Sequence, residues 1–136
     1  GNFVEKECVT RSPKKRYSGS WSVRIRDDNG SGRLKTNWED VSRYSALKVN
    51  FWFLSKKLKK GEGVSLEFKC SDNAEWVLAA KWVIGKDFRD GIWTRGFGSI
   101  STLGHSKVKF RIRCMGNNKK DSIFIDDVAL TGLVTE

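Results

Sequence analysis

At 136 residues the chain has the length of one domain, expected to span 1–136, and is long enough to bury a core. Apolar residues at 38% and charged residues at 31% exclude a disordered chain, and no apolar run approaches the roughly 20 residues that a membrane helix needs. Twenty-six Lys and Arg against sixteen Asp and Glu leave a net charge of +10, so the surface is expected to concentrate anions such as nucleic acid, acidic lipid, acidic polysaccharide or a charged mineral.

In chain order, strand patterns follow one another. The opening Gly1-Asn2-Phe3-Val4-Glu5 does not read as a secretory leader, so a secreted chain is expected to have lost one or to be cut from a larger protein. Trp21, Val23 and Ile25 alternate with Ser22, Arg24 and Arg26, and Asp27-Asp28-Asn29-Gly30-Ser31-Gly32 closes that run as a turn. Leu47, Val49, Phe51 and Phe53 then alternate with Lys48, Asn50 and Trp52. Lys56-Lys57-Leu58-Lys59-Lys60 is expected as a charged connecting loop, followed by the turn signal Gly61-Glu62-Gly63. Val64, Leu66, Phe68 and Cys70 alternate with Ser65, Glu67 and Lys69 before the turn Ser71-Asp72-Asn73. Val108, Phe110, Ile112 and Cys114 alternate with Lys107, Lys109, Arg111 and Arg113, and Gly116-Asn117-Asn118 precedes a last apolar strand from Ile123 to Leu130. A period of two marks strands with one dry and one wet face. Many short strands with no helix between them predict an all-β fold, an antiparallel two-sheet sandwich.

Three cysteines leave one unmatched. Cys70 and Cys114 each end an apolar alternation, so a buried Cys70–Cys114 bridge is open to the fold if their strands lie adjacent or opposite. Cys8 is then free or forms a disulfide-linked dimer. With one histidine, His105, and no CxxC pair, a zinc site is not expected. Catalysis is not expected either. A nucleophile has no base to work with beyond His105, and nothing singles out Asp87 with Asp90, or Glu62 with Glu67, as a glycosidase pair.

Four stretches carry a resemblance. They are Gly19-Ser20-Trp21-Ser22-Val23-Arg24-Ile25, the run Tyr44 to Phe53, the run Leu66 to Trp76, and the closing Asp121-Ser122-Ile123-Phe124-Ile125-Asp126-Asp127-Val128-Ala129-Leu130. Together they resemble the jelly-roll sandwiches of MAM-like domains and carbohydrate-binding modules, over most of the chain from about residue 18 onward. The closing strand is the most specific piece. The resemblance implies a jelly-roll fold, an extracellular setting, and binding rather than chemistry. It also implies a structural Ca²⁺ between the closing strand and the opening segment, held by hard oxygen donors. In this chain the suppliers would be Asp126 and Asp127 with Glu5 or Glu7, and with Asp28 or Glu39.

If the alternating apolar residues fill the core, their neighbours face solvent. Arg24, Arg26, Lys48, Asn50, Trp52, Lys69, Lys109, Arg111 and Arg113, with Lys107, are therefore expected as one basic face around a large aromatic. Trp21, Trp76 and Trp82 share parity with core residues and are expected inside, whereas Trp38 and Trp93 lie near loops and are expected as exposed platforms. Lys14-Lys15-Arg16, Lys56 to Lys60 and Lys119-Lys120 would widen the positive field, and Asn29-Gly30-Ser31 is a glycosylation sequon in a turn. The expectation is a secreted, non-catalytic module that recognises a polysaccharide, in particular an acidic one, or another polyanion. Rival readings are an adhesion or oligomerisation domain with a protein partner, and a silica-associated basic protein. Nucleic acid is disfavoured because no nucleic-acid motif accompanies the charge.

Overall fold

The structure, a computed structural model, describes residues 3–7, 9–12, 22–26, 33–36, 38–115 and 122–134. Its strands are β1 (Phe3–Glu7), β2 (Val9–Ser12), β3 (Ser22–Arg26), β4 (Arg33–Thr36), β5 (Glu39–Asp40), β6 (Ala46–Lys56), β7 (Gly63–Lys69), β8 (Val77–Val83), β9 (Thr94–Ser101), β10 (Lys107–Met115) and β11 (Ser122–Leu133). A six-stranded sheet has the order β1-β4-β10-β7-β8, with β5 added alongside β10. A five-stranded sheet has the order β2-β3-β11-β6-β9. Every ladder within them is antiparallel, and the chain passes repeatedly from one sheet to the other, as in a jelly roll.

The alternation of β6, β7 and β10 is why these layers form. Val49, Phe51 and Phe53 of one sheet and Val64, Leu66, Val108, Phe110 and Ile112 of the other are all fully buried in one core. Each such side chain contributes on the order of 1.5–3 kcal/mol by leaving water. Phe51 and Phe53 meet Trp82 of the facing sheet at centroid distances of 5.5 and 5.7 Å, and Phe88 closes the cluster 5.0 Å from Phe53. Trp82 is thus a core residue, as its parity suggested.

Two bulges reset the alternation. In β11 the register passes from Asp126↔Trp52 to Ala129↔Asn50, so two residues face Phe51 alone. Asp127 has φ 51 there, a conformation that Asp tolerates better than most residues, and its N–H is bonded by Asp126 Oδ1 at 2.8 Å. The bulge turns Leu130 toward the same core as Ile123 and Ile125. In β8 the register passes from Leu66↔Ala80 to Glu67↔Leu78, which leaves Ala79 as the extra residue. Trp82 and Ala80 face inward, but Leu78 turns outward and is 54% exposed.

One sequence expectation is corrected here, the Cys70–Cys114 bridge. Cys114 pairs with Val64 and Lys109 with Lys69, so Cys70 lies six positions along the ladder from Cys114. At about 3.3 Å per residue that separates them by roughly 20 Å, against the 4.4–6.8 Å that a disulfide spans. The adjacent strands that the bridge required exist, but in the wrong register. Cys70 is a free, half-buried thiol, and burial raises its pKa. Cys8 lies outside the described residues, as do Trp21, the turn at 27–32, the sequon Asn29, and the basic clusters at 14–16 and 119–120.

Strand β9 is the least legible in sequence because its inward positions hold glycine. A Cβ on Gly96 would fall 2.6 Å from the Phe51 ring, and one on Gly98 would fall 2.7 Å from Leu66. Gly96→Ala is therefore expected to cost about 1–3 kcal/mol by overpacking. Combined with Phe51→Leu it should cost less than the sum, because the shortened side chain makes room. Urea unfolding of the two single variants and the double variant measures that coupling, and strict additivity would contradict the packing. The Cys70 thiol should also alkylate more slowly at neutral pH than a cysteine peptide, its rate still climbing above the usual thiol range. A Cys70–Cys114 peptide in a non-reducing digest would contradict the register.

Candidate functional site

The nine residues expected to form one basic face do not share one. Inward residues of both sheets meet in a single core, so the outward residues of β6 and of β10 point to opposite sides of the sandwich. Lys48, Asn50 and Trp52 lie on the outer face of the five-stranded sheet. Arg24 and Arg26 belong to β3 of that sheet, where their backbones pair with Phe124 and Ser122. Lys69, Lys109, Arg111 and Arg113 lie on the outer face of the six-stranded sheet. Alternation fixes in or out for each strand but does not say which layer the strand joins.

On the six-stranded face β10 and β7 set the cations in register. Lys109 stands opposite Lys69, Arg111 opposite Glu67, and Arg113 opposite Ser65. Arg111 Nε donates to Glu67 Oε1 at 2.6 Å, with both side chains only 15% exposed, and Arg113 Nη1 lies 3.6 Å from the same oxygen. Glu67 is thereby committed to two guanidiniums and fixes them as a pair. Lys107 at the end of β10 reaches Asp72 at 3.3 Å, an exposed contact of small energetic value.

Two indoles complete this face. Trp38, just before β5, lies beneath Lys107 Nζ at 4.2 Å and Lys109 Nζ at 4.8 Å from its ring centroid. Trp76, just before β8, lies beneath the Arg111 guanidinium at 4.3 Å and Lys69 Nζ at 5.1 Å. The expectation that Trp76 is a core residue is thus overturned. Parity counted back from Trp82 fails because the bulge at Ala79 inverts it. Trp38 is half-buried under the two lysines, placed by the pairing of β5 with the start of β10. The cross-strand pair Lys69–Lys109 puts like charges directly opposite each other, which weakens a sheet. Each ammonium is partly compensated by an indole, a contact worth about 0.5–1 kcal/mol when exposed. The site is a basic sheet face with an indole beside each lysine of the Lys69–Lys109 pair.

Of the residues expected to hold Ca²⁺, only Glu39, Asp126 and Asp127 have side chains among the described residues. Glu5 is on β1, an edge strand of one sheet, while Asp126 and Asp127 are in β11, in the middle of the other. Asp28 lies outside the described residues. Among the described residues no three of His, Cys, Asp and Glu are grouped to hold a metal ion. Glu39 is on β5, beside β10, and Asp126 Oδ1 accepts the N–H of Asp127.

The carboxylates weighed as a glycosidase pair have other engagements. Asp87 accepts the Val83 N–H at 2.8 Å, Asp90 accepts the Ser55 hydroxyl, Glu62 accepts the Lys59 N–H at 2.5 Å, and Glu67 is held by two arginines. Asp40, fully exposed, accepts both the N–H and the hydroxyl of Ser42, and these bonds lower its pKa, backbone bond first.

Neither a protein-family model nor a curated protein sequence matches the chain. Solved structures do match, over nearly the whole described architecture. The C-terminal family 22 carbohydrate-binding module of Clostridium thermocellum Xyn10B superposes with a TM-score of 0.68 at 11% identity, covering 94% of this chain and 83% of that one. The fold is that of the β-sandwich carbohydrate-binding modules. The CBM22-1 xylan-binding domain from Paenibacillus barcinonensis Xyn10C gives a TM-score of 0.66 at 11% identity over 94% of this chain and 82% of that one. TmCBM61, solved in complex with β-1,4-galactotriose, gives 0.65 at 18% identity over 92% and 82%. At these identities what carries over to the chain is the carbohydrate-binding-module fold.

Proposed function

We propose that the protein is a non-catalytic polysaccharide-binding module whose ligand, an acidic chain, lies along the outer face of the six-stranded sheet. The observation that carries this reading is the Lys69–Lys109 pair between two indoles. A folding domain gains nothing by setting two ammoniums opposite each other on an open sheet. A sugar chain bearing carboxylates gains two point charges there, with an aromatic plane on each side for the apolar faces of its rings. Arg111 and Arg113, gathered by Glu67, offer guanidinium forks that match carboxylate oxygens. The fold supports the carbohydrate-binding part of this reading, since the similar CBM22-1 module is a xylan-binding domain and TmCBM61 was solved with β-1,4-galactotriose.

Capture by such a surface has two components that salt separates. The +10 charge draws an anionic polymer in over a Debye length of about 8–10 Å at physiological ionic strength. Stacking on Trp38 and Trp76 persists when that field is screened. A secreted setting fits this role, because polysaccharide chains of this kind lie outside cells.

Trp76→Ala and Trp38→Ala are each expected to weaken binding to polygalacturonate about tenfold, or ~1.4 kcal/mol, in high salt. Lys69→Ala with Lys109→Ala should act mainly at low salt. Calorimetry on the folded variants, checked by circular dichroism, measures both effects. Unchanged affinity in all of them would mean that this face is not the binding site.

A further inference from the structure

The opposite face of the sandwich carries a feature that the first site does not use. On β9 the usual division is inverted, with Gly96 and Gly98 inward and Phe97 outward, 62% exposed to water. Phe97 stands opposite Asn50, Arg95 opposite Trp52, and Ser99 opposite Lys48. Between β6 and β9, Lys48, Asn50, Arg95, Phe97 and Ser99 line a groove of about 310 Å³. Arg95 Nη2 donates to Asn50 Oδ1 at 2.7 Å, and its guanidinium lies 5.4 Å from the centroid of the Phe97 ring. The groove is thus lined by two cations, an amide, a hydroxyl and an aromatic plane, with no carboxylate. Across β6 from the groove, β11 carries Asp126, in register with Trp52, and Asp127, in the bulge opposite Phe51.

We propose that this groove is a second carbohydrate subsite that takes a single uronate residue of an acidic polysaccharide, so that one domain holds two chain segments on opposite faces. The proposal rests on the reading of the protein as a polysaccharide binder. Its chemistry is specific to a charged sugar. Phe97 supplies a plane for the apolar face of the ring. The bond from Arg95 to Asn50 uses one of five guanidinium donors and steadies the rest of the fork, which suits a carboxylate. Lys48, exposed at one end of the groove, supplies a second positive charge, and Ser99 a hydroxyl partner for the sugar. Burying Phe97 was open to the fold only by exchanging places with its glycine neighbours, and Phe51 and Leu66 already fill that space.

Two sites facing opposite ways make a monomer able to join polymer chains. The test uses the full chain, isotope-labelled for amide spectra, with trigalacturonate as the soluble probe and polygalacturonate for light scattering. Trigalacturonate should shift the amides of Arg95 to Ser99 as well as those of β10, with a stoichiometry of two, and protein added to the polymer should raise scattering. Phe97→Ala with Arg95→Ala should abolish the Gly96 to Ser99 shifts and the scattering and reduce the stoichiometry to one, while the β10 shifts persist. Trp38→Ala with Trp76→Ala should do the reverse, so failure of the first face and failure of the groove give different spectra. Shifts confined to β10, scattering unchanged in the Phe97 and Arg95 variant, no trigalacturonate binding at all, or stronger shifts of the groove by duplex DNA or a neutral glucan would each overturn the proposal.

Discussion

The two sheets meet at the ring of Phe51, and most of what lies on either outer face follows from how that ring is seated. It packs edge-on to Trp82 of the facing sheet, is fully buried, and closes on the backbone of β9 at a position where only glycine leaves room. This contact fixes the register of β9 against β6, and that register sends Arg95, Phe97 and Ser99 outward. On the other layer the inward Trp82 fixes the phase of β8, so the single extra residue Ala79 is enough to bring Leu78 to the surface and leave Trp76 beside Lys69 and Arg111. The core thereby determines which aromatics are available to a ligand.

Much of this was legible in the sequence, for a physical reason. Strands β6, β7, β10 and β11 carry bulky apolar residues at every second position, and a half-buried antiparallel strand requires that pattern. Strand β9 could not be read in the same way, because two of its inward positions, Gly96 and Gly98, are glycine and its one large aromatic, Phe97, is on the wet side. The short strands β1, β2, β4 and β5 are too brief for a period to register. Pairing is a non-local property, so the sequence could mark Lys48 and Arg111 as outward but not as outward on opposite faces. Trp76 was misplaced for a local reason, a bulge with no signature in Val77-Leu78-Ala79-Ala80. The closing Ile125-Asp126-Asp127-Val128 segment did announce itself, and its two aspartates prove to shape a bulge in which one carboxylate bonds the next N–H.

The candidate site also shows how a basic domain can carry its charge. Glu67 gathers Arg111 and Arg113, Trp38 and Trp76 lie under the lysines, and Asp72 meets Lys107. Glu67 and Asp72 are each engaged by these cations, which remain in excess on this face. The indoles and the cations are not separate devices there. On the proposed reading, a sugar stacking on either ring would displace the ammonium held there toward its own carboxylate, which would couple stacking and charge recognition at the same side chains.

The central claim is that charge on the ligand and aromatic planes on the protein act together on one face. The most direct measurement compares the affinity of the protein for polygalacturonate and for the same polymer with its carboxylates esterified, at low and at high salt. The expected result is at least about tenfold tighter binding of the charged polymer at low salt, a difference that collapses in high salt, and a residual affinity common to both that falls about tenfold in Trp76→Ala. Equal binding of the two polymers at low salt, or complete loss of both in high salt, would contradict it.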